Sequence, residues 1–228
     1  MKEQLTKFAL AATITLALTF TFGCSDLPDL GDTPSNGLIG SGTFVDKRDN
    51  KSYKFVKVNT QIWMAENLNY NANGSFCYEK QNSNCETYGR LYSWETAMEA
   101  CPPDWRLPSA EEWEILLKFL DPNCGQYSEP FCPKAGNKLK DTKGWKDYGG
   151  DNGNGTNIIG FSALPGGMGG APDESSAGLG EAGFWWGSSQ DDNGNGYVVM
   201  ASNRDTGVFY EYNNKSYLFL FSVRCLKN

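Results

Sequence analysis

The chain has 228 residues, 39% of them hydrophobic and 21% charged, with 26 glycines and 10 prolines. These proportions exclude a disordered chain, a coiled coil and a multi-pass membrane protein. There is no histidine, which removes Ser–His and Cys–His nucleophile pairs, an imidazole general base and every zinc site that needs imidazole.

Lys2 and Lys7 open the chain, and residues 8–22 follow without a charge. That run is short for a membrane span but suits the apolar region of a secretory signal. It ends at Gly23-Cys24, followed by Ser25 and Asp26. The pattern resembles a bacterial lipobox, although Thr21 and Phe22 stand where a leucine and a small residue are usual. The resemblance implies loss of residues 1–23, acylation of Cys24 and, from Ser25, sorting to the outer membrane. Cleavage there leaves 18 basic and 26 acidic residues, a net of −8. Such a surface repels nucleic acid and anionic headgroups, so the expected membrane contact is made by acyl chains. Residues 24–42 are rich in Pro, Gly, Ser and Asp and read as a flexible tether. Residues 43–228 then form the folded unit, enough for a single core.

Six cysteines remain: Cys77, Cys85, Cys101, Cys124, Cys132 and Cys225. An even set in an exported chain predicts three disulfides. Six cysteines allow 15 connectivities, and spacing alone does not choose among them. Cys77/Cys85 and Cys124/Cys132 are each eight apart across turn-forming residues and look like staples of local excursions, which would leave Cys101 with Cys225. In the chain-entropy model that long closure is worth about 4–5 kcal/mol, against about 2–3 for a short one. Metal binding would need CxxC-type clustering, which is absent.

Residues 53–58 alternate apolar and polar and residues 61–64 resume the pattern after Asn59, predicting an opening hairpin. Residues 92–101 carry Trp94, Ala97, Met98 and Cys101 at helical spacing, stopped by Pro102-Pro103. A second helix starts at a capping box of Ser109 and Glu112. Trp113, Leu116, Leu117 and Leu120 make its apolar face, and Pro122 ends it. Residues 133–183 are Gly-rich and poor in pattern, a stretch of loop that is usually functional or structurally specialised. Short aromatic and β-branched runs at 184–186, 197–201, 208–212 and 217–225 predict a terminal antiparallel sheet. The sequence Asp-Asn-Gly-Asn-Gly occurs at 151–155 and again at 192–196. Its oxygens suit calcium, but neither copy has EF-hand spacing or a distal glutamate, so turns are expected and no cofactor.

Several ordered blocks resemble the Fibrobacter succinogenes major paralogous domain. They are Asp46, Arg48, Asp49 and Tyr53 (with Asn50 replacing a glycine); Trp63-Met64-Ala65-Glu66-Asn67-Leu68; and Tyr88-Gly89-Arg90-Leu91-Tyr92-Ser93-Trp94. Cys101-Pro102-Pro103-Asp104-Trp105-Arg106-Leu107-Pro108-Ser109 with Glu112-Trp113, Gly183-Phe184-Trp185-Trp186 with Ser188-Ser189, and Ser222-Val223-Arg224-Cys225 complete the set. The 106–114 block and Val223-Arg224-Cys225 also resemble, more distantly, the formylglycine-generating enzyme family. That likeness implies an α+β, C-type-lectin-like fold with two helices, a long Gly-rich loop region and a late antiparallel sheet. It also implies a disulfide between the first helix region and the last strand, Cys101–Cys225. The enzyme's chemistry needs two reactive cysteines late in the chain; Cys225 is the only cysteine after Cys132, so that chemistry does not carry over.

Hydrolytic carboxylate pairs are not needed to explain Glu111, Glu112 and Glu114, which suit the start of a helix. The expectation is therefore a non-enzymatic, lipid-anchored cell-surface domain for binding or adhesion. Its first-choice ligand is a polysaccharide, its second a protein of the envelope contacted in a scaffold role. Trp145, Trp185, Trp186, Tyr197, Tyr210 and Tyr212 are the candidate ligand-binding residues, because flat rings stack on sugar faces. Alternation within a sheet would bury about half of such a set.

Overall fold

The computed structural model describes residues 39–126, 130–170, 175–213 and 219–228. Cys24, its signal and most of the tether lie outside them. Among the described residues no helix is long and apolar enough to cross a membrane.

The opening hairpin forms, and a further strand precedes it. β1 (Ile39–Asp46) pairs along its whole length with β2 (Lys51–Val58), which turns at Asn59 into β3 (Gln61–Met64). Residues 39–42 are thus sheet, not tether. Their glycines hide the strand pattern, yet Gly42 is where the Phe55 ring lies across the backbone; a Cβ there would sit 2.6 Å from that ring.

β4 (Ser75–Phe76), a 3-10 turn (Tyr78–Lys80) and α1 (Asn82–Tyr88) form the excursion closed by Cys77–Cys85. β5 (Leu91–Tyr92) and α2 (Trp94–Ala100) follow, so the expected helix begins later than its spacing suggests, with Ser93 as N-cap. Ala97 and Ala100 face the core, while Met98 is exposed. Arg48 closes α2 from outside, donating to the carbonyls of Ala100 and Cys101 while bonded to the buried Asp46. These are carbonyls that a helix end leaves unpaired. Burial pushes the Asp46 carboxyl upward, but its bonds with Arg48 outweigh this and hold it below the usual range.

After β6 (Trp105–Arg106), α3 (Ala110–Leu120) has the expected capping box. Ser109 Oγ accepts from the Glu112 N–H at 3.3 Å, and the Glu112 carboxylate accepts from the Ser109 N–H at 2.9 Å. All four residues of its apolar face are buried.

β7 (Phe131–Cys132) precedes the Gly-rich stretch, and α4 (Ala135–Leu139), β8 (Met168–Gly170) and β9 (Ser176–Ala177) interrupt it. The described residues therefore hold four α-helices where two were expected. α1 and α4 are seven and five residues long, too short to show a period.

β10 (Ala182–Gln190), β11 (Gly196–Ser202) and β12 (Val208–Asn213) make the late sheet, in the order β10-β11-β12-β7. The last run does not join it. β13 (Phe219–Leu220) pairs with β8, and β14 (Leu226–Lys227) inserts between β3 and β6 in the first sheet, which reads β1-β2-β3-β14-β6. The first and last strands of the described residues are thereby built into one sheet, and Cys101–Cys225 locks that return.

β10 and β11 are covered on both faces. Trp185, paired with Val199, joins the cluster of α3 with Val56, Trp63 and Phe161; Trp186, paired with Val198, joins the cluster of α2 with Tyr53, Met64 and Phe221.

Candidate functional site

Four of the six aromatic candidates belong to the interior. Trp145 is 3% exposed, Trp185 2%, Trp186 0% and Tyr197 2%, so none presents a ring face to a ligand. The two consecutive tryptophans face away from each other, as alternation requires, but neither reaches solvent, because this sheet is covered on both sides. Each indole N–H is used internally: Trp145 donates to the Ala163 carbonyl, Trp185 to Asn67 Oδ1 and Trp186 to the Tyr92 carbonyl. Tyr210 is half-buried and Tyr212 exposed; both lie on β12, and both rings pack near that of Tyr197 on β11. These two are the members of the set that a ligand could touch.

The six cysteines pair as Cys77–Cys85, Cys101–Cys225 and Cys124–Cys132. Both Asp-Asn-Gly-Asn-Gly copies are turns. Asp191 Oδ1 accepts from the N–H groups of Asn193 and Asn195, and Asn152 Oδ1 accepts from that of Asn154. Among the described residues no three acidic or cysteine side chains come together as a metal set.

The most connected polar group in the interior is Asn67. Its Oδ1 accepts from Trp185 Nε1 at 2.9 Å and Arg224 Nε at 2.6 Å, and its Nδ2 donates to the Tyr88 carbonyl and Ser222 Oγ. Arg224 has no exposed surface. Its remaining donors reach the carbonyls of Met64, Phe161 and Ser162, and its guanidinium lies over the Phe161 ring. Burial lowers the pKa of Arg224, and the carbonyl cage supplies in return what water would have given. This arrangement joins the 63–68, 183–186 and 222–225 blocks. The guanidinium at its centre is sealed from solvent, while Asn67 also edges a polar cavity.

A concave surface with mixed chemistry lies elsewhere. A groove of about 380 Å³ runs between the Cys77–Cys85 excursion and the Gly-rich segment, lined by Tyr78, Glu79 and Tyr88 on one side and Gly144, Lys146 and residues 178–181 on the other. Its volume lies in the range of small-molecule sites. Tyr78 forms the floor: it packs with Leu91, Leu220 and Leu179, and it leans on Gly167, where a Cβ would come within 2.8 Å of the ring. Gly167 also has φ +67, a conformation that L side chains rarely adopt. Tyr88, half-buried, ends α1, and Asn67 holds its carbonyl from beneath. Glu79 has φ 50 and ψ 26, and its N–H donates to Ser176 Oγ across the junction.

The opposite wall is pinned by backbone. Gly180 N–H donates to the Pro165 carbonyl and Lys146 N–H to the Gly180 carbonyl. The stem of Lys146 lies against Gly180, and its ammonium reaches Glu181 at 3.1 Å. Those two side chains are 60% and 47% exposed, so the pair adds little stability and remains open to a ligand's hydroxyls. With Glu79 the groove carries two carboxylates to one ammonium, which disfavours anions.

A recess beside α2, of about 530 Å³, is lined by Tyr70, Glu95 and Glu99, but the guanidinium of Arg48 stands 3.7 Å from the centre of the Tyr70 ring and covers a face of it. The groove aromatics escaped the sequence reading because neither lies in an aromatic run. The signals that could have found them were the tight cysteine bracket around Tyr78 and the long unpatterned stretch facing it.

A family model described as the Fibrobacter succinogenes major domain matches residues 56–227. No curated protein matches, and neither does any solved structure.

Proposed function

The chain belongs to the Fibrobacter succinogenes major domain family, and from that premise we propose that its folded unit is a non-enzymatic binding domain, held outside the cytoplasm by acyl chains on Cys24, that takes an uncharged carbohydrate in the groove beside Tyr88. The groove carries this reading. It combines an aromatic wall, polar side chains of both signs and backbone groups on a concave face, the mixture that sugar rings and hydroxyls require. Three disulfides fit an oxidising compartment, and the lipobox-like Gly23-Cys24 supplies the anchor. The Cys101–Cys225 tie, the two helices flanking the late sheet and the return of the C-terminus to the first sheet support a C-type-lectin-like architecture. That architecture suits recognition by loops on a rigid scaffold and does not itself specify sugar.

The test uses the secreted Cys24→Ser chain on a glycan array and against insoluble polysaccharides, with and without calcium. Binding that is independent of calcium and lost in Tyr88→Ala is expected. Loss in Tyr212→Ala instead would move the site to the edge of the late sheet. Absence of any glycan signal would overturn the carbohydrate reading and leave a protein-contact role in the envelope. Failure of fatty-acid label to enter the wild-type chain, or its persistence in Cys24→Ser, would remove the anchor.

A further inference from the structure

We propose that the Cys77–Cys85 disulfide is a reversible redox site, tuned by Arg90, whose reduction dismantles one wall of the groove. Nη1 of Arg90 lies 3.5 Å from Cys77 Sγ and 3.6 Å from Cys85 Sγ, so one guanidinium edge touches both sulfurs of the bond. The side chain is fixed there, with Nε donating to Ser75 Oγ at 2.8 Å and Nη2 to the Ser75 carbonyl at 2.9 Å. A disulfide carries no charge for this cation to stabilise, but the thiolates formed on reduction do. A cation beside a cysteine lowers its thiol pKa, which favours the reduced form and makes each sulfur a better leaving group.

The other two bridges are placed differently. Cys77 and Cys85 are buried too, at 8% and 4% exposure, but they face a guanidinium. Cys124, Cys132 and Cys225 sit in the two main apolar clusters, where burial disfavours a thiolate without that offset. Cys85 also lines a polar cavity of about 220 Å³ together with Lys51, Glu66 and Glu86, which gives a small reductant an approach.

The reductant is a dithiol. One of its thiolates attacks a sulfur of the bridge and expels the other cysteine as a thiolate beside Arg90. The second thiol then resolves the mixed disulfide, so that two electrons and two protons pass to Cys77 and Cys85 and the dithiol leaves as its own disulfide. The bridged loop contains Tyr78 and Glu79, and Tyr88 follows three residues after Cys85 at the end of α1, so release of the loop removes the groove's floor and loosens one side. The redox claim does not depend on what the groove binds.

The experiment is a redox titration of the full chain in dithiothreitol buffers, with each cysteine pair read by differential alkylation and peptide mass spectrometry. Hydrogen exchange over residues 77–90 is followed in parallel. Cys77–Cys85 is expected to open first, with faster exchange confined to that segment, and Arg90→Gln is expected to make it at least tenfold harder to reduce, a shift of about 30 mV for a two-electron couple. Opening together with or after the other bridges in the wild-type chain, a measurement that needs no variant, would overturn the proposal. An Arg90→Gln chain with an unshifted midpoint would overturn the role of the guanidinium. Glycan binding measured on the same samples separates the two readings, since the titration result stands whether or not a sugar binds.

Discussion

Two places where distant segments meet follow opposite rules. At Asn67 and Arg224, blocks from the start and end of the folded unit join in the interior, and every polar atom of the Asn67 side chain has a partner. At the groove, the segments meet across water, and the walls are glycine backbone, two tyrosines and an exposed ion pair. An unpaired group in the interior costs its full desolvation, so that site admits few residue types. The groove carries no such penalty, which leaves its residues open to be chosen by a ligand. The motif-dense parts of this chain hold the scaffold together, and the proposed recognition surface joins one such block, at Tyr88, to a facing stretch that shows little motif.

The contrast can be broken most forcefully at the return of the C-terminus. Replacing Cys101 and Cys225 together by serine is expected to cost about 4 kcal/mol in urea unfolding; a loss under about 1 kcal/mol would mean that the sheet holds β14 without the tie. Arg224→Met comes next, at about 3 kcal/mol, because it strands the carbonyls of Phe161 and Ser162 in the interior and leaves Asn67 Oδ1 with Trp185 as its donor. A near-neutral result would show that the hub repacks.

Smaller effects sharpen the picture at the surface. Glu112→Gln, which a capping box tolerates, should cost up to about 1 kcal/mol near neutral pH by removing the charge that pairs with Arg106. Its hydrogen bonds with Arg106 hold the Glu112 carboxyl below its ordinary value of 4.5. A lowered folded pKa means that this stabilisation is full above the unfolded value and disappears as pH falls through the folded one. Thermal midpoints of the two chains should therefore differ by a constant amount from pH 8 to 5 and converge in acid; a gap that persists in acid would contradict the assignment. Smallest of all in stability, Glu181→Gln should change unfolding by under about 0.5 kcal/mol while weakening ligand binding, the combination expected only at the groove.

The opening hairpin, α3 with its cap, the late sheet and the even cysteine set were legible because each is written in local pattern. Strand β1 was not, since glycines at 40 and 42 carry no hydrophobic period. The candidate site was legible only in outline. Aromatic runs drew attention to Trp185 and Trp186, whose strand is buried on both faces, while Tyr78 and Tyr88 stand isolated in sequence. Part of the Tyr88 block was visible as motif, but its partner wall across the groove, residues 178–181, lies about ninety positions away and has no pattern of its own.

By itself, the amino-acid sequence determined that imidazole chemistry has no residue to run on, because the chain holds no histidine. It also determined the capped start of α3, the turn at Asn59 and the even set of cysteines, because caps and φ restrictions act over a few residues. Only the tertiary structure decided which aromatics reach solvent, since a strand's alternation says which side a ring takes and not whether that side is covered. The same holds for the carbonyl cage around Arg224, the guanidinium against the Cys77–Cys85 sulfurs and the groove itself. Each depends on groups from separate segments arriving at hydrogen-bonding or contact distance, and that distance is set by packing.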